Sequence, residues 1–281
     1  MQLGAPTPDP ILEPLNPNLG TQETLMKIIV AIKQVPERDA RIRIDSSGRW
    51  IALDDIEFRM NESDAYALEE ALLLKEAHGG EVIVLSAGPE RVGQTIREAL
   101  AKGADRGIHI ASDSLASLDA LGVARLMAAA IADEHADLIL TGLQSDDLGL
   151  GQTGVILAEL LGIPHSSLIL KIEKTDSGLR LLRELEDGWF QHISLPTPAL
   201  LTIQSGNTKL RYATLMGIKK AKTKELRTVD AASLGIDAQP GLLLDAVALP
   251  SRQKTTQMLP GTPAEAAAAL VAKLQQEVRV L

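Results

Sequence analysis

The chain has 281 residues, 45% apolar and 23% charged, with a formal net charge of −9 and no cysteine. It is long enough to bury a full core, and the lack of thiols removes disulfides, thiolate metal sites and a Cys nucleophile. The acidic balance, with only two each of Trp, Tyr and Phe, offers neither the cationic surface nor the stacking platform that a nucleic-acid partner requires.

No apolar run approaches the roughly 18 residues that cross a bilayer, so direct membrane insertion is not expected. The histidines at 78, 109, 135, 165 and 192 show no i,i+4 pair or other ligand spacing, so no metal site is expected either.

Residues 1–25 hold five prolines and neither Lys nor Arg. They lack the basic start of a signal peptide and the Arg-rich face of a transit peptide. A disordered N-terminal extension and a cytoplasmic location are therefore expected.

From Met26 the pattern becomes regular. KIIVAIK (27–33) is a short apolar run of the kind buried on both faces of a parallel sheet. RIRIDSSGRWIAL alternates around Ser46-Ser47-Gly48, which predicts a hairpin. Asn61 or Ser63 can cap a helix over 64–78, with Ala65, Leu68 and Leu72 on one stripe and Gly79-Gly80 ending it. Strand 81–86, helix 89–102, strand 107–111, helix 115–135, strand 137–142 and helix 152–161 follow. Strict β-α alternation implies a doubly wound, mostly parallel sheet with right-handed crossovers.

After Pro164 four strand-like runs, SSLILKIEK, GLRLLRELED, WFQHISL and ALLTIQS, predict an antiparallel extension of the same sheet. Residues 205–228 read as a long loop with a Lys-rich stretch, 229–262 show few elements, and PAEAAAALVAKLQQEVRVL predicts an amphipathic C-terminal helix. Little surrounds that helix in sequence, so it is expected to dock on a partner or on the body of the fold. The expected division is an extension over 1–25, a nucleotide-binding body over 26–228 and a C-terminal arm over 229–281.

Ligands of such sheets sit beyond the carboxyl ends of the strands, where the strand order reverses. Ala31 to Lys33, Ser86 to Pro89 and the loop from Gly142 to Gly154 are the candidate segments. Gly149, Gly151 and Gly154 have G-x-G-x-x-G spacing. A dinucleotide fingerprint, however, follows its strand at once and is answered by an acidic residue about 20 positions on. Here the loop intervenes, the unit reads as the last parallel one, and Glu173 is the only acidic candidate.

Asp146 and Asp147 make a poor acid–base pair, because adjacent loop residues point apart and no supporting His or Ser triad lies nearby. Asp146 reads instead as a cap for N–H groups inside the loop. Gln152 and Thr153, at the start of a helix, suit a phosphate. The whole describes a nucleotide cleft without catalytic residues.

Several segments together resemble the electron-transfer flavoprotein beta subunit: KIIVAIKQVP, ALEEALLLKE, EVIVLSAGP, REALAKGADRGIHI, the GLQSDD…QTG loop and RYATLMGIKKAK. The similarity runs in order over about residues 26 to 230. It implies an adenine-nucleotide-hydrolase-like fold and an electron carrier rather than an enzyme. It further implies a heterodimer with an alpha subunit, one FAD held mainly by that subunit, and a structural AMP in this chain. Electrons would arrive from flavin-dependent dehydrogenases and leave to a quinone oxidoreductase or another acceptor. Electron-bifurcating members hold a second FAD in the same cleft.

Carried onto this chain, the resemblance lines the cleft with Ala31, Asn61, Glu62, Ser63, Asp64 and Ala87. The loop adds Gly142, Leu143, Gln144, Ser145, Asp146, Asp147, Leu148, Gly149, Leu150, Gly151, Gln152 and Thr153. Gln152-Thr153-Gly154 matches the AMP-type turn, whereas bifurcating members tend to have Val in place of Thr. Two departures stand out: Glu62 follows Asn61 where the family usually has Pro, and Gly149 and Gly151 replace bulkier residues, which leaves room for FAD.

The segment 207–221 corresponds to the family's recognition loop. Leu215 would be its apolar anchor, accompanied by Arg211 and Tyr212, with Lys219, Lys220 and Lys222 steering acidic partners. Two readings of other classes are an ATP-using enzyme of related fold and a homodimeric nucleotide-binding stress protein. KQVPERDA after the first strand supplies no pyrophosphate loop for the former.

Overall fold

A computed structural model describes residues 25–113, 115, 118–205, 208–251 and 256–280. Apart from Leu25, the expected N-terminal extension lies outside the described residues, as does Asn207 at the head of the expected recognition loop. Two compact units form: one runs to Ile42 and again from Leu53 to Asp245, and the other comprises Arg43–Ala52 with the chain from Ala246 onward.

The first unit carries the sheet. Strand β1 (Lys27–Ala31) is apolar after its first residue and buried from Ile28 on. It stops short of the expected Lys33 because the Lys33 N–H turns to a side chain, Asp64, rather than to a neighbouring strand. A two-stranded antiparallel ribbon follows, β2 (Gln34–Pro36) with β3 (Phe58–Met60). Helix α1 (Glu62–His78) starts two residues earlier than expected and ends at Gly79, whose N–H bonds the Lys75 carbonyl.

Next come β4 (Glu81–Gly88), α2 (Val92–Lys102), β5 (Arg106–Ala111), α3 (Ala120–Ile131), β6 (Leu138–Gly142) and α4 (Thr153–Leu161). The chain continues as β7 (His165–Thr175), β8 (Gly178–Glu184), β9 (Phe190–Leu195), β10 (Ala199–Ile203), α5 (Leu215–Ala221) and β11 (Leu226–Asp230). Among the described residues the main sheet has nine strands, in the order β11-β5-β4-β1-β6-β10-β7-β8-β9. The expected doubly wound, mostly parallel sheet with an antiparallel extension is what the chain builds.

One strand departs from expectation. β10 does not join the antiparallel extension. It inserts between β6 and β7 and runs parallel to both. Every residue of ALLTI is buried, the mark of a central parallel strand covered on both faces. GLRLLRE instead alternates, and FQHISL is largely exposed, as suits the outer strands β8 and β9, which pair antiparallel. The 142–154 loop is therefore not followed by the end of the parallel sheet. The expected loop over 205–228 is also partly regular: Thr214 caps α5 through Gly217 N–H (3.0 Å), and β11 extends the other edge beside β5.

Helices cover both faces. Leu68, Leu72, Ile96 and Leu100 of α1 and α2 pack on Ile28, Val30, Val82 and Val84. Leu126, Met127, Leu157 and Ala158 of α3 and α4 pack on Ile29, Ile83, Leu85 and Ile139. Full burial of each large apolar side chain contributes about 1.5–3 kcal/mol of transfer free energy. The strand order places β1 between β4 and β6, and the chain winds outward on one side through β4 and β5 before crossing to β6 on the other. The reversal therefore falls between the carboxyl ends of β1 and β6.

In the second unit, the expected hairpin shrinks to one bridge, Ile44 to Ile51, around a turn in which Asp45 accepts from the Ser47 N–H. No residue from Arg43 to Ala52 is buried, so the ribbon has little packing to hold further pairs. Helix α6 (Pro263–Lys273) opens with a Thr262/Glu265 capping box and Pro263, and it has no buried residue. Among the described residues, no helix is long and apolar enough to cross a membrane, and no group of three or more His, Asp or Glu side chains could hold a metal ion.

Helix α4 sits directly on β6 and β10. A Cβ on Gly154 would stand 2.6 Å from Thr141 Oγ1 and 2.9 Å from Thr202 Cγ2. Gly154→Ala should therefore destabilise the protein by about 1–3 kcal/mol, the range for overpacking a tight contact. Gly149→Val, in open space, should cost only its left-handed backbone, about 1–2 kcal/mol. Thermal unfolding of the two variants and of Gly154→Ser checks this; a Gly154→Ala protein as stable as the parent would contradict the packing.

Candidate functional site

The crevice is organised by Asp64, in the first turn of α1. Its carboxylate accepts the Lys33 N–H beyond β1 (2.7 Å) and the Gly142 N–H at the end of β6 (2.9 Å). These two N–H groups lie where the two parallel strands part, and one side chain satisfies both. Asp64 is buried. Burial lifts its carboxyl to about 7, against the pull of those N–H groups, the Asn61 amide and the Lys33 ammonium. Gly142 has no room for a side chain, because a Cβ would collide with Asp64 and with Ser63 Oγ.

Asn61 occupies the N-cap position of α1, but its side chain makes no capping bond. It is spent on the loop instead. Its amide donates to the Gln144 carbonyl (2.9 Å) and its Oδ1 accepts the Asp146 N–H (2.9 Å). Ser63 Oγ also donates to the Gln144 carbonyl (2.8 Å). The start of α1 thus staples the loop after β6, and neither Asn61 nor Ser63 serves as the expected side-chain cap.

The two aspartates diverge. Asp146 pairs with Arg59 (2.9 Å) and lies 3.5 Å from the Glu62 N–H. Asp147 pairs with Lys33 (2.7 Å) and caps the Leu148 N–H (2.8 Å). Capping within the loop therefore falls to Asp147, not to Asp146, and Asp146 ties the loop to the β2–β3 ribbon. Both carboxylates are neutralised by a cation, which lessens the repulsion that an anionic ligand at this loop would meet.

Beyond Asp147 the loop opens. Leu148 and Leu150 are each 44% exposed, and Gly149 and Gly151 both have φ +63°, left-handed backbone that glycine supplies without strain. Gln152 leads into α4 without a side-chain cap. The N–H groups of the first turn after Gln152 are thus open to an acceptor other than the cap. Ala31 is buried at the end of β1, and Ala87 lies on β4 beside it, where Ser86 Oγ ties the two strand ends through the Ile32 carbonyl (2.7 Å). The expected residues of β1, β4, β6 and the start of α1 thus converge on neighbouring strand ends.

Four residues of the site are absent from the sequence-based expectation: Thr141, Thr202, Gln204 and Arg59. Thr141 and Thr202 face each other across the β6–β10 ladder, below Gly154. Thr202 Oγ1, and Gln204 Oε1 just past β10, are buried atoms with no hydrogen-bond partner among the described residues. A threonine one residue before the end of each apolar run, LILTG and ALLTI, was the available signal. Arg59, also missed, had none.

An open helix start, orphaned polar atoms and a backbone-lined cradle fit a phosphate-bearing nucleotide.

The recognition-loop residues lie apart from the crevice. Tyr212 and Leu215 are each 88% exposed and Met216 62%, so Leu215 is not packed within the described chain. Lys219, Lys220 and Lys222 are exposed. Arg211 is instead folded onto α1, pairing with Glu69 (2.8 Å) and Glu76 (2.6 Å).

The folded-state proton affinity of Asp64 exceeds that of the unfolded chain. Its contribution to stability is therefore complete below about pH 4 and is lost as the pH rises through about 7. The stability difference between the parent and Asp64→Asn should shrink over that window, by up to about 4 kcal/mol. Unfolding curves of both proteins from pH 4 to 8 check this; curves that stay parallel would contradict it.

Comparison with known proteins agrees with this architecture. The sequence model of the electron transfer flavoprotein domain matches residues 49–234. The electron transfer flavoprotein subunit beta of Methylophilus methylotrophus is 36% identical over 256 residues, covering 88% of this chain and 97% of its own. That of Bacillus subtilis is 35% identical over 91% of this chain and 100% of its own. The Homo sapiens protein is 34% identical over 91% and 99%. Similarity of that extent makes this chain a member of the electron transfer flavoprotein beta-subunit family.

Proposed function

We propose that this chain is the beta subunit of a heterodimeric electron-transfer flavoprotein, an electron carrier that holds a structural AMP in the crevice between β1 and β6. Its alpha partner would carry most of the contacts to one FAD, the group that supplies the redox chemistry. Electrons would pass from flavin-dependent dehydrogenases to a quinone oxidoreductase or another acceptor. The body over 26–228 would bind the nucleotide and the arm over 229–281 would serve assembly. We place the protein in the cytoplasm.

The observation that carries the AMP reading is the combination of an open α4 start with the buried, unpartnered Thr202 hydroxyl beneath it. Gln152, Thr153 and the N–H groups of that turn would hold the phosphate, with Thr202 and Thr141 behind them. Ala31, Ala87 and the Asn61–Asp64 turn would flank the adenosine, with small side chains at the strand ends admitting it. The residues of the crevice bind and orient. None of them is assigned a proton or a bond in any reaction.

A second FAD in place of AMP, as in an electron-bifurcating member, is the alternative reading. It is favoured by one feature, the open space around Gly149, where no described atom beyond the adjoining residues lies within 4 Å of the point a Cβ would occupy. Nucleotide released by acid from the purified heterodimer decides between them. One FAD and one AMP per heterodimer is expected; two FAD and no AMP would establish the alternative.

Leu215 would be the apolar anchor for donor dehydrogenases. A solvent-exposed Leu beside Tyr212 and Met216 is the kind of residue that dominates a transient interface when it becomes buried. Leu215→Ala should raise KM for a donor dehydrogenase about tenfold or more and leave kcat unchanged. Steady-state reduction of the heterodimer checks this, and an unchanged KM would remove Leu215 from the interface.

A further inference from the structure

Helix α5 bears the exposed anchor, yet Ala221 is its only buried residue. A helix of two turns with one buried side chain does not hold its own shape in water. Its conformation is fixed from outside, at both ends and along its middle.

Ahead of α5, Arg211 spreads its guanidinium over two carboxylates of α1, Glu69 and Glu76, and its own N–H donates to Glu69 Oε2 (3.1 Å). Glu69 is itself buried. Thr208 adds a bond to Glu70 on the same helix (2.6 Å). Behind α5, Arg97 of α2 donates to the carbonyls of Ala221 (2.6 Å) and Lys224 (2.7 Å). Lys224 returns the arrangement by donating to the Leu100 and Ala104 carbonyls at the end of α2. In the middle, Gly217 lies so close to the Ala101 carbonyl that no Cβ would fit. Two cations thus cap each other's helix, and a third pins the approach.

The segment 208–224 contains six Lys and Arg residues and no Asp or Glu, in a chain whose net charge is −9. Arg211 and Lys224 are consumed by the frame. Lys209, Lys219, Lys220 and Lys222 remain exposed around Leu215 and Met216.

We propose that Arg211 and Arg97 are positioning residues that hold α5 as a preformed knob, so that its apolar tip meets the donor dehydrogenase already ordered. The matching surface on that partner is an apolar pocket rimmed by carboxylates, which the exposed lysines attract. This inference rests on the docking role assigned to Leu215 above. Ordering the knob before encounter removes an entropy cost from association, so losing the frame weakens binding without touching any contact residue.

The test uses the alpha–beta heterodimer and a purified flavin dehydrogenase chosen because it reduces the parent protein. Arg97→Met removes the rear cap. Arg211→Met with Glu69→Gln removes the front clamp without leaving a buried carboxylate unpaired, and Arg211→Lys restores one ion pair. Hydrogen exchange at 214–224 should accelerate at least about tenfold in the first two variants. KM should rise about three- to tenfold with kcat unchanged, and Arg211→Lys should recover part of the loss.

Leu215→Ala should raise KM while leaving exchange at 214–224 as in the parent. Faster exchange with an unchanged KM, or unchanged exchange in Arg97→Met, would overturn the positioning role while leaving the docking role intact. A Leu215→Ala protein with parental KM would instead remove the docking role, and the positioning role with it. Should the Arg211 pair fail to fold, Arg97→Met alone carries the decision.

Discussion

The Asp64 carboxylate, held between the backbones of Lys33 and Gly142, is the contact on which the crevice depends. At a topological switch point two parallel strands stop sharing hydrogen bonds, and their last N–H groups have nowhere to go. Asp64 answers both, but at the cost of burying a carboxylate, which is why its proton is held so firmly. Everything near it follows. Gly142 must be glycine, Ser63 and Asn61 come within reach of the Gln144 carbonyl, and the loop after β6 takes its course from the first turn of α1.

That arrangement separates two kinds of polar group. Asn61, Ser63, Arg59, Lys33, Asp146 and Asp147 bond one another across the loop and shape it. Thr202 Oγ1 and Gln204 Oε1, with the start of α4, are left for something else. Loops that bind phosphate without a lysine depend on such a division, because the backbone supplies the donors and must be held open by its surroundings. At α5 charge is used in a similar way: Arg211, Arg97 and Lys224 build the frame, and the remaining lysines face outward.

Much of the fold was legible because burial dictates pattern. Apolar runs at 27–33, 81–86, 107–111 and 137–142 read as parallel strands, and the stripe of α1 read as an amphipathic helix. The insertion of β10 was not legible by position, since strand order is set by long-range packing. The unbroken burial of ALLTI, against the alternation of GLRLLRE, was nonetheless a sign. At the site, the small residues at strand ends and the glycine loop were visible. The partners of Asn61, Asp146 and Asp147 were not, because each bonds a residue far away in sequence. A capping residue and a loop staple have the same chemistry, and only the fold decides between them. Arg211 looked like an exposed recognition cation and is instead pinned by Glu69 and Glu76, a pairing that spans 142 residues in the case of Glu69.

A nucleotide gripped where β1, β6 and the start of α4 meet would shield the amides of that junction. Hydrogen exchange on the alpha–beta complex, nucleotide-loaded against nucleotide-stripped, reads that shielding. Removal of the nucleotide should expose amides in 142–155 and 61–65 while those of β8, β9 and α5 stay as they were. Loss of protection confined to other parts of the chain, with 142–155 unchanged, would contradict binding there.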